Sequence, residues 1–256
     1  MTSQAVTTRA RGHVRVEDTQ KRVRARIGGV TVADSALVKM VWEIPYYPTY
    51  YFPIDAVRMD LMTDSGETKR SPSSGTANLY DITVESRTIP QAARVWTESK
   101  IEEIEGYVSF DWKSMDAWFE EDDEVYVHAR DPHTRIDIVQ SSRNIRVEVD
   151  GVTVADTNNA RFLFETNLPA RYYMPKTDVH FEYLTPTDHT SMCPYKGTAR
   201  YWSINTTGET HENVVWGYDA PFAESQQIAG FVSFYNEKLD IYVDGVLERR
   251  PKTIFS

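Results

Sequence analysis

The amino-acid sequence predicts a mainly β protein, built as two tandem homologous compact β domains with one short helix each. Aromatic residues are abundant, with 15 Tyr, 10 Phe and 6 Trp in 256 residues. They stand with β-branched residues in short runs between turn signals, which is typical of strands. A long internal repeat supplies the domain count, because each copy has the length of an ordinary domain.

The repeat begins with the same six residues in both copies. Gly29–Asp34 recurs as Gly151–Asp156, and the two copies align again where Gly106–Phe110 matches Gly230–Phe234. A period this long indicates duplicated domains rather than a solenoid of small units. We place the first repeat at 14–125, a packed linker at 126–135 and the second repeat at 136–246.

Strands and turns account for most of each repeat. In the second copy, alternation predicts strands at 145–149 and 152–154 around a two-residue turn at Asp150-Gly151. The prolines at 169 and 175 predict an extended but irregular segment between them. The short helices are predicted at 98–105 and 222–229, each ending before a glycine. Further strands are predicted at 161–165, 198–204, 213–218, 231–234 and 239–243.

Charge and composition exclude several classes of partner. The formal net charge is −10, whereas nucleic-acid binding needs a clustered basic surface. The sequence therefore predicts no nucleic-acid partner. It also predicts no membrane partner, because no apolar run approaches the roughly 20 residues of a membrane-spanning helix. A single cysteine allows no internal disulfide, which favours a cytoplasmic location.

The candidate site is the Cys-Pro-Tyr-Lys-Gly turn at 193–197, with the only thiol of the chain. Lys196 would favour the thiolate of Cys193 or hold an anion, and His189 would carry a proton. The first repeat has Ser-Pro-Ser-Ser-Gly at the matching positions 71–75, so it keeps the turn and lacks these groups. This asymmetry favours a functional role. The alternative is that Cys193 is a small buried apolar residue.

Other side chains of the second repeat are candidates for positioning a ligand. Glu165 ends an apolar strand and is expected to pair with Arg171 or Lys196, because a carboxylate is rarely buried alone. Aromatic walls with a few polar groups are typical of ligand pockets, although such rings are also common in β cores. No metal site and no cofactor are predicted, since one cysteine and scattered histidines would have to converge. The candidate ligand-binding residues are Glu165, Arg171, Tyr172, Tyr195 and Trp202.

Several separated motifs of the second repeat resemble one family. These are Arg171–Pro175, Asp188–Gly197, Ala199–Trp202, Val215–Tyr218 and Ile228–Phe234. In this order they are similar to the signature of the "domain of unknown function 427" family, and nearly the whole chain is similar to its tandem form. The resemblance implies a compact β fold related to the Mss4-like or β-tent architecture. Some catalogues label the family nucleotidyltransferase-like, but the paired aspartates that hold magnesium in such chemistry are missing here.

Two hypotheses follow from the sequence. In the first, the second repeat binds or transforms a small-molecule ligand at a pocket around the 193–197 turn, and whether it is an enzyme is left open. In the second, the protein is a non-catalytic interaction or scaffold protein in which that turn is structural. Either hypothesis is compatible with a homodimer.

Overall fold

A computed structural model describes residues 14–253 and 255 of the chain. The chain divides into two compact units, the first ending at Asp131 and the second beginning at Pro132. The family resemblance and the repeat both predict such a division, and each unit is described here by itself.

The described part of the first unit contains a seven-stranded and a four-stranded antiparallel sheet. The larger sheet has the order β1-β4-β5-β9-β8-β7-β6 and the smaller has the order β11-β10-β2-β3. The strands are β1 Arg15–Asp18, β2 Val23–Ile27, β3 Val30–Ser35, β4 Lys39–Trp42, β5 Thr49–Pro53, β6 Met62–Ser71, β7 Gly75–Val84, β8 Arg87–Ser99, β9 Tyr107–Phe110, β10 Ala117–Glu120 and β11 Asp123–Val125.

Within its described residues, the second unit repeats this arrangement. Its seven-stranded sheet has the order β12-β15-β16-β20-β19-β18-β17, and its four-stranded sheet has the order β14-β13-β21-β22. The strands are β12 Ile136–Ser141, β13 Ile145–Val149, β14 Val152–Thr157, β15 Ala160–Glu165, β16 Arg171–Pro175, β17 Leu184–Cys193, β18 Gly197–Asn205, β19 Thr210–Tyr218, β20 Phe231–Phe234, β21 Asp240–Val243 and β22 Val246–Leu247.

In the second unit, the two sheets enclose a core between them, and the larger sheet carries a second apolar cluster on its opposite face. Side chains alternate between the faces of a strand, so Tyr172 and Met174 of β16 join the inter-sheet core while Tyr173 joins the other cluster. We call the face that carries the second cluster the outer face of the large sheet. A side chain of the large sheet can therefore lie either on this outer face or in the inter-sheet core.

Helical structure is limited to short 3-10 turns in the described chain. The helix predicted at 98–105 is a three-residue turn at Glu102–Ile104, because β8 continues through Ser99. The helix predicted at 222–229 is a six-residue 3-10 turn, Ala223–Ile228. The other turns are Ile54–Ala56, Met59–Leu61, Trp112–Ser114, Lys176–Asp178 and Phe181–Tyr183.

Two segments of the second unit are more regular than the sequence predicts. The stretch between the prolines forms β16, whose Arg171 and Met174 pair with β15 and β20 respectively. The polar stretch before Cys193 forms the ten-residue edge strand β17. It lacks the apolar alternation of a half-buried strand because most of its side chains are exposed, as is usual for a protected edge.

Candidate functional site

The Cys-Pro-Tyr-Lys-Gly segment is the turn of the hairpin formed by β17 and β18. Cys193 pairs with Gly197 across the hairpin. Gly197 has a φ of +94°, a conformation that residues with a Cβ atom rarely adopt. The backbone of the turn is held from outside by the amide of Phe222, which donates to the Lys196 carbonyl at 3.2 Å. The turn is therefore fixed at both its base and its tip.

Lys196 and Glu165 form an ion pair that is nearly buried. The Lys196 Nζ donates to the Glu165 Oε2 at 2.5 Å, and the two side chains are only 9% and 10% exposed. The end of β15 and the tip of the hairpin are thereby joined by opposite charges in a poorly solvated setting. Of the two partners that the sequence offers for Glu165, the structure selects Lys196.

Two tyrosine hydroxyls belong to the same cluster. Tyr173 and Tyr218 lie on the outer face, and burial raises the pKa of both hydroxyls well above the usual range. The negative charges of Glu165 and of a Cys193 thiolate add to this rise in the pKa of both tyrosines. Both tyrosine hydroxyls therefore stay protonated at neutral pH, and that of Tyr173 accepts a hydrogen bond from the Trp216 Nε1 at 3.1 Å. The sequence suggests Tyr173 only as one of several aromatic residues that could line a pocket, and Tyr218 is not among the candidate site residues.

His189 is not brought to Cys193. Both residues lie on β17, and four residues of extended chain separate their Cα atoms by roughly 13 Å. The exposed His189 ring instead packs on Tyr201, with 4.5 Å between ring centroids. Ser191 lies between His189 and Cys193 in the chain and shares a hydrogen bond of 2.7 Å with the Tyr201 hydroxyl. A direct proton transfer between His189 and Cys193 does not fit this geometry.

Arg171 is committed to a different ion pair. Its guanidinium makes two hydrogen bonds of 2.7 Å to the carboxylate of Glu237 and also donates to Asn236. Glu237 accepts a further hydrogen bond from Thr253. The Arg171 and Glu237 side chains are 8% and 0% exposed, so this pair is part of the packed interior. It does not hold Glu165, the partner that the sequence offers as the alternative to Lys196.

Of the remaining ligand candidates, Tyr172 and Trp202 lie away from the turn. Tyr172 and Trp202 belong to the inter-sheet core on the opposite face of the large sheet. The Tyr172 hydroxyl donates to Glu248, and Trp202 packs edge-on against Phe181. Tyr195 lies in the turn, where its carbonyl accepts from the Ser225 hydroxyl at 3.4 Å. Because side chains alternate along β16 and β18, Tyr172 and Tyr173 lie on opposite faces of the sheet. The same alternation separates Trp202 from Tyr201.

The first unit closes the matching region with apolar groups. Its turn has the same register, with Ser71 opposite Gly75, and Ser74 stands where the second unit has Lys196. The matching outer-face cluster consists of Val41, Tyr51, Ala77, Trp96 and Ile104. The hydroxyl of Tyr51 donates to the exposed Glu43, the counterpart of Glu165, at 2.7 Å. A lysine–carboxylate pair thus lies at the turn of the second unit, whereas the first unit has Ser74 and an exposed Glu43 at these positions.

A separate shallow hollow of about 400 Å³ lies further along β17, β18 and β19. None of the candidate site residues lines it. Its walls are mostly hydroxyl, amide and carboxylate side chains, namely Thr185, Thr187, Ser203, Asn205, Thr210, Glu212 and Asn213, together with Ile204.

Residues 14–253 and 255 contain neither a cluster of metal ligands nor a membrane-spanning helix. In that part of the chain, no three or more His, Cys, Asp and Glu side chains converge as a metal site would require. No helix there has the length and apolarity to cross a membrane.

Two similar β units, with a thiol, amine and carboxylate cluster in the second, define a tandem-repeat β protein with an asymmetric pair of turns. A family model described as "Domain of unknown function (DUF427)" matches residues 15–121 and 137–245. The chain belongs to this family, as a tandem-repeat member. A search of curated proteins finds no match to the chain.

Proposed function

We propose that the second unit binds a small molecule at the cluster formed by Cys193, Lys196, Glu165, Tyr173 and Tyr218. The cluster combines an ion pair, a free thiol and two protonated tyrosine hydroxyls on an aromatic face. A few polar groups on apolar and aromatic walls are the usual composition of a ligand site. The first unit contributes stability and has no matching site.

The observation that carries this proposal is the buried Lys196–Glu165 pair and its absence from the first unit. Buried ion pairs are costly to desolvate, and well-packed apolar groups of similar volume are often as stable or more stable. The first unit has the same strand order and the same turn register, with Ser74 and an exposed Glu43 in these positions. The fold therefore does not need the pair, and a binding role accounts for it better.

Reaction of the single thiol with iodoacetamide in the native protein tests whether the cluster is open to a small molecule. We expect Cys193 to be alkylated in the folded state, within about a hundred-fold of the rate of an unfolded thiol. A thiol that reacts only after denaturation would mean a closed site and would overturn the proposal. The matched control is the Cys193→Ser, Ser71→Cys double variant, which moves the thiol to the first unit's turn and away from any lysine at the 196-equivalent position.

The second candidate function is a non-catalytic interaction or scaffold role in which the turn is structural. It is favoured by the way the turn is tied to the following segment through Lys196, Tyr195, Phe222 and Ser225. In that case the ion pair would serve to fix the hairpin tip. The unfolding experiment on Lys196 and Glu165 given in the Discussion separates the two functions.

A further inference from the structure

We propose that a hollow of the first unit binds small organic ammonium ions, held against the Trp112 indole and beside the Glu124 carboxylate. The hollow has a volume of about 300 Å³ and is lined by residues of two short segments, 112–118 and 124–127. Both segments belong to the first unit. The site is therefore separate from the cluster in the second unit, and the two proposals succeed or fail independently.

Two stacked indoles belong to the lining of the hollow. The Trp112 and Trp118 rings lie nearly parallel, at 10°, with 4.7 Å between their centroids. The Trp118 Nε1 donates to the Trp112 carbonyl at 3.2 Å, which holds the 3-10 turn that begins at Trp112. Trp118 is buried, whereas Trp112 is only partly buried and stays accessible. An indole attracts a cation through the quadrupole of its ring more strongly than the other aromatic side chains do.

The second unit has other residues at these positions. The alignment of the two copies after 106 and 230 places Asn236 at the position of Trp112 and Tyr242 at that of Trp118. The Asn236 side chain accepts a hydrogen bond from Arg171 and so belongs to a packed interior network. The same strand order is thus built without an indole pair. A binding role accounts for the stacked indoles better than a need of the fold.

The segment on the other side of the sequence gap contains a strained residue. Val127 has a φ of +73°, and the His128 amide donates to the Tyr126 carbonyl at 2.9 Å across it. A three-residue turn with this φ is rare and strained, and a β-branched residue adopts it at a particular cost. Strained backbone is found mostly at functional sites. Here it holds Tyr126 and Val127 in the lining of the hollow.

Glu124 brings a negative charge that the fold does not neutralise. Its Oε2 accepts from the Tyr126 hydroxyl at 3.0 Å, and no basic side chain of the described chain forms an ion pair with it. The other carboxylate of the lining, Asp116, is paired with Arg87 at 2.8 Å. Lys113 is the one basic residue of the lining, and it is exposed, so solvent screens its charge. An ammonium ion in the hollow would meet an indole and an unpaired carboxylate together.

Other ligand classes match this lining less well. An anion would be repelled by Glu124, and an uncharged apolar ligand would take water from that carboxylate without replacing it. A bare metal ion needs several oxygen ligands, and the described chain has no such cluster. Aromatic faces with a negative group nearby are the usual setting in which proteins bind quaternary ammonium ions.

Titration calorimetry with choline chloride in a low-salt buffer tests the proposal on the unchanged protein. We expect saturation at one equivalent per chain. The uncharged carbon isostere of choline, in which a tert-butyl group replaces the trimethylammonium group, should bind at least about ten-fold more weakly. Equal binding of the two compounds, or a choline titration that does not differ from one with sodium chloride, would overturn the proposal.

Three variants locate the ion. Trp112→Leu removes the ring and should weaken choline binding at least about five-fold, and Glu124→Gln should weaken it about two- to five-fold. Lys113→Met removes the like charge and should tighten binding. Tyr46→Leu, at an exposed aromatic residue of the first unit, is the matched control and should leave the affinity unchanged.

Circular dichroism establishes that each variant is folded before the affinities are compared. If Trp112→Leu does not fold, Glu124→Gln and Lys113→Met still test the site, because neither replaced side chain is buried. An unchanged affinity in any folded variant of Trp112 or Glu124 would place the ion elsewhere and overturn the assignment.

Discussion

Tyr218 of the second unit and Trp96 of the first occupy the same register position, each paired with the corresponding alanine of the preceding strand, Ala199 and Ala77. The Trp96 ring stacks on Tyr51 with 6.1 Å between centroids and is 2% exposed. At the matching place, Tyr218 is 5% exposed and packs in the outer-face cluster of the second unit. One position thus carries an indole in the first unit and a phenol in the second, and each ring is buried in the outer-face cluster of its own large sheet.

Tyr218→Phe should change the free energy of unfolding by less than about 1 kcal/mol, because its hydroxyl makes no hydrogen bond to another described residue that the change would break. Tyr173→Phe is the matched control. It deletes the acceptor of the Trp216 Nε1 and should cost about 1–3 kcal/mol. Urea unfolding followed by circular dichroism measures both. A clear loss of stability in Tyr218→Phe would mean that its hydroxyl is satisfied within the fold.

The ion pair at the turn gives a second prediction. Removal of one charge, in Lys196→Met or Glu165→Met, should destabilise the protein by about 3–5 kcal/mol because the other charge stays buried and alone. The double variant should recover most of this loss, as expected for a pair that the fold does not need. Urea unfolding of the three variants forms a double-mutant cycle.

Lys69→Met, at an exposed position of the first unit, is the control for loss of a lysine. It should change the free energy of unfolding by less than about 0.5 kcal/mol. A double variant as unstable as the two single variants would support the scaffold function, in which the pair fixes the hairpin tip.

Glu237 makes stability depend on pH in the acidic range. Burial opposes its ionisation, but the hydrogen bonds from Arg171 and Thr253 outweigh this effect and hold its pKa below the usual 4.5. The stabilisation from the ionised carboxylate is therefore fully present above about pH 4.5 and is lost as the pH falls through the lower pKa of the folded state. Glu237→Gln should be less stable than the unchanged protein at pH 7 and should lose part of this acid dependence.

Thermal unfolding between pH 3 and pH 7 measures this dependence. Asp60→Asn serves as the control, because it removes an exposed pair with Arg58, and such pairs contribute at most about 1 kcal/mol. An unchanged acid limb in Glu237→Gln would contradict the assignment.

His189→Ala should leave the reactivity of Cys193 unchanged. The His189 imidazole packs on Tyr201 and lies four residues from Cys193 along β17. It therefore cannot take the thiol proton directly. The rate of iodoacetamide alkylation, measured from pH 6 to pH 10, should therefore superimpose on that of the unchanged protein. A shift of the pH midpoint would restore the proton-carrier role that the sequence suggests for His189.

The fold was largely predictable because alternation and duplication leave direct marks on the sequence. Strand β13 has the bounds 145–149 that alternation predicts, and the repeat fixes the two-unit plan. The site was predictable only in part. Spacing in the chain indicated Cys193 and Lys196. It could not show which partner Glu165 takes, or that Tyr218 of β19 lies two strands away from Cys193 in the same sheet. Those facts depend on sheet order and register, which bring together residues from β15, β17 and β19.

The difference between the turns of the two units also bears on stoichiometry. Because only the second unit combines a thiol with the Lys196–Glu165 pair, the chain offers one candidate site of this kind for every two copies of its fold. Saturation should therefore occur at a single equivalent per chain. The first unit then serves as an internal control, because a signal that arises from the fold alone is present in both units.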